Sequence, residues 1–236
     1  MKRLYNICGL PVECDFRFPV MTARAEKYLC EQNVTPAITI PYSSQSAQRL
    51  KSAQPGITDE ECEVISTAEE FYYALLHFGG FMLHSSAVVM DGEAYLFSAP
   101  SGTGKSTHTA LWLERFGSRA QILNDDKPAI MADGGNITAC GTPWSGKSDL
   151  NLNLRVPLRG ICVLERSDVN FIEPLPPEKS VFSLLDQTLR PSDGERMGAL
   201  LELLDAVTTS HVQVWRMGCN ISIEAAELAY KTMSGK

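Results

Sequence analysis

Apolar and polar positions divide this chain into a strand-rich first part, a helix, and a long region where short apolar runs alternate with turns. Leu4 to Leu10 and Val12 to Phe16 read as strands around Gly9-Leu10-Pro11, and Ala37-Ile38-Thr39-Ile40 as a further short strand. Ser43 to Thr58 is polar, contains Pro55-Gly56, and reads as a loop or exposed hairpin. A helix is expected next. Thr67 caps it with Glu70 as its capping-box partner, Phe71, Leu75 and Phe78 share a face with Ala74 beside them, and Gly79-Gly80 ends it. His77 in this helix reads as packing or surface. His84 to Met90 and Glu93 to Ser98 are strands joined by the hairpin signal Asp91-Gly92. A helix is predicted over Lys105 to Phe116 and a short strand over Gln121 to Asn124. Ala129 to Ala132 and Ile137 to Cys140 form a second hairpin, and Gly160 to Leu164 a buried strand. Helical stretches near Val181 to Leu189 and Arg196 to Val207, a strand over Val212 to Arg216 and a helix over Ile223 to Met233 complete the chain. Two hairpins in succession depart from simple βα alternation and predict a mixed sheet with helices packed around it.

The most informative junction lies between the second hairpin strand and its helix. Ala99-Pro100-Ser101-Gly102-Thr103-Gly104-Lys105-Ser106-Thr107 follows an apolar strand and opens a helix. A strand, a glycine-rich turn and a helix starting Lys-Ser-Thr is the pattern of a phosphate-binding loop. Glycines let the backbone curl so that successive N–H groups face an anion, and the helix N-terminus adds unpaired donors and partial positive charge. Lys105 is expected at the outer phosphates and the Ser106 hydroxyl at Mg²⁺. The usual pattern begins with glycine where this chain has Ala99, a residue that enters positive φ less easily.

Composition narrows the function classes. The 236 residues are 44% hydrophobic, enough for one domain or one domain with a small appendage. A net charge of −7 argues against nucleic acid as the main partner and against a polybasic membrane anchor. No apolar run approaches the roughly 20 residues of a membrane span, and no signal-like apolar core follows the first residues. Seven cysteines are scattered without a C-x-x-C pair, which fits reduced thiols of a cytoplasmic protein. Cys162, inside an apolar run, reads as a core residue.

Phosphoryl transfer needs an anion cradle, a cation bridging the outer phosphates, and a group that takes or positions the acceptor proton. The cradle is Ser101, Gly102, Thr103, Gly104, Lys105, Ser106 and Thr107. Asp125 and Asp126 end a strand shortly after the loop helix. Adjacent carboxylates are costly to hold together without a cation or proton between them, so the pair suits one metal ligand and one base; the sequence leaves open which is which, with Asp126 preferred for metal and Asp125 for base. His84 opens the strand whose hairpin partner leads into the loop. A second Gly-Lys segment, Gly141 to Ser148, lacks a clear strand-to-helix setting and reads as a mobile loop flanking the site, with Lys147 either near phosphate or acceptor or in a solvated turn. Arg155 and Arg159 are candidates for stabilising transferred charge or for surface roles.

The run Leu83-His84-Ser85-Ser86-Ala87-Val88, the loop Ser98 to Ser106, and Asn124-Asp125-Asp126 together resemble two related families. One is the catalytic domain of HPr kinase/phosphorylase, the other the nucleotide site of ATP-dependent phosphoenolpyruvate carboxykinase. The resemblance is specific from His84 to Asp126, weaker from Gly141 onward, and does not cover the first 80 residues. It implies an α/β fold with a mixed-sheet P-loop core of the HPr kinase/carboxykinase type over residues 81–236; the apolar pattern itself places a small β-rich N-terminal region with a helix over residues 1–80 before it. It also implies ATP and Mg²⁺ as cofactors, with Mn²⁺ as an alternative metal. Ser106, Asp126 and His84 are the implied metal ligands, and Asp125, Lys105 and His84 the catalytic groups. The expected activity is transfer of a γ-phosphoryl group to a hydroxyl of a peptide, protein or small molecule. A carboxykinase-like small-molecule enzyme and a non-catalytic nucleotide-binding regulator remain as alternatives. A homo-oligomer is left open.

Overall fold

The computed structural model describes residues 2–32 and 34–235. The N-terminal part begins with a three-stranded sheet of β1 (Arg3–Ile7), β2 (Leu10–Cys14) and β3 (Ile38–Ile40), ordered β1-β2-β3. The hairpin turn sits at Cys8-Gly9, where both residues have positive φ, and Pro11 falls inside β2. Between β2 and β3 lies α1 (Pro19–Ala25), and α2 (Ser44–Ala53) and α3 (Asp59–Leu75) follow.

Two expectations are corrected here. The polar stretch 43–58 contains α2 rather than a loop or hairpin. Ser43 caps it by accepting from the Ser46 N–H at 3.1 Å, and Ala47 is its buried residue, so no apolar stripe announces the helix in the sequence. The following helix begins at Asp59, well before Thr67. Thr58 and Glu61 form a full capping box, with Asp59, Glu60 and Glu61 in the first turn. Thr67 lies mid-helix, its hydroxyl bonded back to the Glu63 carbonyl at 2.6 Å. Gly79 ends the segment in the left-handed conformation. A Cβ at Gly79 would stand 2.7 Å from the Ala132 carbonyl oxygen, so this position needs glycine twice over.

The main sheet contains β4 (Gly80–Met82), β5 (Ser85–Met90), β6 (Glu93–Ser98), β7 (Ala120–Asn124), β8 (Ala129–Asp133), β9 (Asn136–Cys140), β10 (Arg155–Arg166), β11 (Phe171–Pro174) and β12 (Gln213–Cys219). Its order is β4-β8-β9-β10-β6-β5-β7, with β12 also paired to β10 and β11 to β12. Parallel and antiparallel pairs coexist: β10 runs parallel to β6 and β12 but antiparallel to β9. The helices are α4 (Lys105–Phe116), α5 (Pro177–Leu185), α6 (Gly194–Thr208) and α7 (Ile223–Ser234). The mixed α/β architecture expected from the two hairpins is present. The buried strand expected over Gly160 to Leu164 extends in both directions. Its first residues, where Pro157 sits between two arginines, pair with β9. Among the described residues no helix is long and apolar enough to cross a membrane.

Sheet order fixes where chemistry gathers. Strands β6, β5 and β7 are consecutive neighbours, β5 antiparallel to both. Ser85 pairs with Ser98, and Ala87 with Asn124. The start of β5 and the ends of β6 and β7 therefore meet at one end of the sheet. That end carries His84, Ala99 and Asp125 on the next residues along. Asp91 and Gly92, both at positive φ, form the tight turn that sets the β5–β6 register.

The N-terminal elements share a core with the sheet. Phe71, Tyr72 and Leu75 of α3 are buried with Ala129, Met131, Cys140 and Trp144. Trp144 stacks on Phe71 with ring centroids 4.8 Å apart and donates its indole N–H to Thr67 Oγ1. A second cluster packs α4 and α7 on the sheet through Trp112, Phe97, Tyr95 and Ala229. The cysteines are free, and burial pushes the Cys162 thiol well above its ordinary value, as a core residue requires.

Candidate functional site

Between β6 and α4 the chain turns through Pro100 and the Thr103 N–H, which donates to the Pro100 carbonyl. Gly102 and Gly104 hold φ of 78° and 120°, conformations that side chains resist. Ala99 stays out of positive φ and is fully buried, so alanine fits where the usual loop has glycine. Gly104 is the N-cap of α4 and its carbonyl accepts the His108 N–H at 2.8 Å. Lys105 is buried in the first turn, and its ammonium donates to the carbonyls of Ala99 at 2.8 Å and Pro100 at 3.4 Å. Desolvation lowers its pKa, and the charges of Asp126 and Asp125 oppose that shift. Ser106 and Thr107 are exposed.

The aspartate pair is shaped by its neighbour. Asn124 Oδ1 accepts the N–H groups of Asp126 at 3.0 Å and Lys127 at 2.8 Å, an Asx turn that bends the chain where β7 ends. Its Nδ2 donates to the Thr142 carbonyl, tying the turn to the 141–150 segment. Tyr72, buried on α3, donates to the Lys127 carbonyl and lies 2.9 Å from Thr142 Oγ1. Asp125 Oδ1 accepts the Ser86 hydroxyl at 2.7 Å, and Ser86 meets Thr109 Oγ1 of α4 at 2.8 Å. Asp126 faces His84 Nε2 at 3.4 Å and the Lys127 ammonium. Burial works to raise the Asp126 pKa, but the His84 and Lys127 contacts outweigh it and hold the carboxyl down to about 2. His84 Nδ1 lies 3.3 Å from Gln187 Oε1, and its backbone N–H donates to the Gln187 carbonyl at 2.8 Å. One ring nitrogen of His84 thus faces Asp126 and the other Gln187.

These groups line one cleft of about 630 Å³. It is lined by Ser101, Gly102, Gly104, Lys105, Ser106 and Thr107 of the loop and helix start, by His84, Asp125 and Asp126, and by Gly146, Lys147 and Ser148. Of the loop, aspartate, His84 and Lys147 candidates, all but Thr103 line it, and Thr103 lines the adjoining cavity. Arg155 and Arg159 do not. Arg155 bonds Thr138, and Arg159 bonds the Met233 and Ser234 carbonyls at the end of α7. His77 is exposed. Segment 141–150 contains no helix, as expected. Its first half is anchored by buried Trp144, and Arg24 of α1 grips it by donating to the Gly146 carbonyl at 2.5 Å and pairing with Asp149 at 3.2 Å. A Cβ on Gly146 would stand 2.8 Å from Asp126 Cβ, so glycine permits the close approach of this segment to the aspartate.

Several contributors were not assigned from the sequence. Asn124, Ser86 and Thr109 position the aspartates, and an Asn directly before Asp-Asp carries the Asx-turn signal that marks it. Arg166, at the end of β10, donates to the Gly102 carbonyl at 2.6 Å and lies 3.5 Å from that of Thr103, clasping the loop from outside. Tyr72 and Arg24 reach the site from the N-terminal part and carry no local sequence signal. Two further cavities adjoin the cleft. One of about 620 Å³ runs between Thr107, His108 and Leu111 on one side and Arg166, Asp168 and Asn220 on the other. The other, about 410 Å³, opens beyond Asp126 and Lys147 toward α1 and α3.

The donors at the cleft suit a hard divalent cation shared with phosphate oxygens: the Ser106 hydroxyl and one carboxylate, completed by ligand and water. Among the described residues no group of three or more His, Cys, Asp or Glu side chains is placed to hold a metal ion.

Fold and cleft define a mixed α/β protein whose glycine-rich loop, helix N-terminus and paired aspartates converge at one end of the sheet. The family model described as SynChlorMet cassette protein ScmC matches residues 57–189, more than half of the chain, and the chain belongs to that family. A solved structure, the Hpr(Ser) kinase/phosphatase from Coxiella burnetii, is similar over 65% of this chain and 95% of that chain, at 12% identity and a TM-score of 0.37. No curated protein matches the sequence.

Proposed function

We propose that this protein is an ATP-dependent phosphotransferase that moves a γ-phosphoryl group to a hydroxyl acceptor. The observation that carries the reading is the meeting of Lys105, Asp125, Asp126 and His84 in one cleft under the glycine-rich loop. The loop N–H groups and the α4 N-terminus bind the phosphates. Lys105 exchanges its carbonyl partners for the outer phosphates. Ser106 and Asp126 would hold Mg²⁺, with His84 beside Asp126. When bound, that ion neutralises charge on the outer phosphate oxygens. Asp126 suits this role because it stays ionised at every physiological pH. Asp125, held through Oδ1 by Ser86, leaves Oδ2 for the acceptor. In the step, the acceptor O–H gives its proton to Asp125, its oxygen forms a bond to the γ-phosphorus, and the bond from that phosphorus to the bridging oxygen breaks. ADP leaves with the electron pair. The adjoining cavity beside His108 and Asp168 offers room for the nucleoside.

The reading is tested by thermal shift with MgATP. Wild type gains stability by preferential binding to the native state, and Lys105→Ala loses that gain while keeping its own fold. Asp126→Asn weakens Mg²⁺-dependent binding. Asp125→Asn retains binding but loses about a hundredfold or more in transfer, the usual scale for a general base. An equal MgATP shift in Lys105→Ala, or normal transfer by both Asn variants, would refute it.

A further inference from the structure

The cavity of about 410 Å³ beyond Asp126 is separate from the nucleotide side of the cleft but continuous with it, because Asp126, Gly146 and Lys147 line both. Its walls come from the N-terminal part: Val20 of α1, Ile57 just before α3, and Val64 and Ile65 of α3, with Trp144 also lining the cavity. The charged groups around it are mostly engaged within the protein. Arg24 is held by Asp149 and the Gly146 carbonyl. Lys127 is held by Asp126. Glu60 accepts the Val20 N–H at 3.1 Å, and Glu61 accepts the Thr58 N–H and hydroxyl. Arg24 and Lys127 are thus paired with carboxylates, Glu60 and Glu61 are bonded to neutral donors, and Lys147 is exposed, while Val20, Ile57, Val64, Ile65 and Trp144 supply an apolar lining that an apolar occupant would cover.

We propose that this cavity is a specificity pocket that receives an apolar side chain of a peptide acceptor, lying within two residues of the serine or threonine that accepts the phosphoryl group. The inference rests on the phosphotransferase reading. A hydroxyl at Asp125 and an apolar group beyond Asp126 occupy two compartments and must be joined by a linker. Neighbouring residues of an extended peptide, about 3.5 Å apart per position, supply that spacing. A single small alcohol would fill one compartment and leave the other wet. The volume exceeds that of one leucine, isoleucine or phenylalanine side chain, so the pocket takes such a side chain together with adjoining peptide backbone rather than a domain surface.

The test uses the full chain and a set of short Ala/Gly peptides, each with one serine and one variable residue two positions away: Leu, Asp or Lys. Free serine and glycerol serve as small acceptors. MgATP binding is measured first by calorimetry. Peptide binding is then measured by calorimetry, and transfer from labelled ATP is measured as kcat/KM. The Leu peptide is expected to bind and to be phosphorylated about tenfold or more better than the Asp and Lys peptides and the small acceptors, the scale of selection by an apolar pocket. Val64→Trp, which fills the pocket from α3, removes that preference while leaving MgATP affinity unchanged. Val20→Trp, from the other wall, does the same if the first variant folds poorly. Equal use of the three peptides, better use of glycerol or serine, or an unchanged preference in both filled variants overturns the pocket. So does MgATP binding with no transfer to any peptide. Absence of MgATP binding instead refutes the phosphotransferase reading and with it the acceptor role of the pocket, so the first measurement tells the two failures apart.

Discussion

His108 sits one turn into α4 and is buried, its Nε2 accepting the Trp112 indole N–H at 3.3 Å and its ring against Phe97. Its Nδ1 has no hydrogen-bond partner among the described residues. Burial pushes its pKa down to about 4, so the folded protein keeps it neutral where an unfolded chain, at about 6.5, takes up a proton. Between those two values the unfolded state binds the extra proton, and stability rises with pH. Roughly 2 kcal/mol is expected to disappear between pH 7.5 and pH 5 on account of this one ring. Urea unfolding at the two pH values measures it, and His108→Gln should flatten the difference by about that amount. An unchanged pH dependence in the variant would show that the ring is solvated. Gly146 acts on the same scale: at φ of 70° and against Asp126, it has no substitute that keeps both backbone and carboxylate in place.

At the scale of elements, α1 and α3 are joined through buried acid. Glu63 of α3 is 1% exposed and accepts the Arg17 N–H at 2.7 Å and the Phe18 N–H at 3.1 Å, at the start of α1. Burial raises its pKa, and the two backbone donors oppose the shift. Glu63→Ala leaves those donors without a partner and is expected to cost about 3 kcal/mol in denaturant unfolding. The exposed cap variant Thr58→Ala should cost about 1 kcal/mol. A Glu63 loss no larger than the Thr58 loss would mean that water replaces the carboxylate. These helices were also the hardest to read from the sequence. The pattern Ser/Thr-x-x-Glu occurs at Thr58 and again at Thr67, and the apolar face from Phe71 onward favours the later start. Only tertiary contacts, Glu63 to α1 and Trp144 to Thr67, make the first half of α3 a buried helix. The loop, its strands and Asp125-Asp126 were legible because hairpin turns, glycines and helix starts are local signals. Tyr72, Arg24 and Arg166 were not, because they reach the site across long stretches of chain.

Across the whole molecule, one strand joins the parts. The first residues of β10 pair with β9, on the side of the sheet whose core includes α3 and Trp144. Its later residues lie between β6, which delivers the glycine-rich loop, and β12. Ile161, Cys162 and Val163 are paired on both edges, to Leu96, Phe97 and Ser98 on one side and Val214, Trp215 and Arg216 on the other. Such doubly paired amides have no local opening route to solvent, whereas those of the exposed turn 147–149 do. Native-state hydrogen exchange followed by mass spectrometry should therefore find 161–163 among the slowest amides, released only at the free energy of global unfolding, and 147–149 among the fastest. Exchange of 161–163 well below that energy would mean that the sheet parts along this strand. If it holds, deuterium retained in β10 serves as an internal clock for complete unfolding, against which protection gained elsewhere on adding a ligand can be timed.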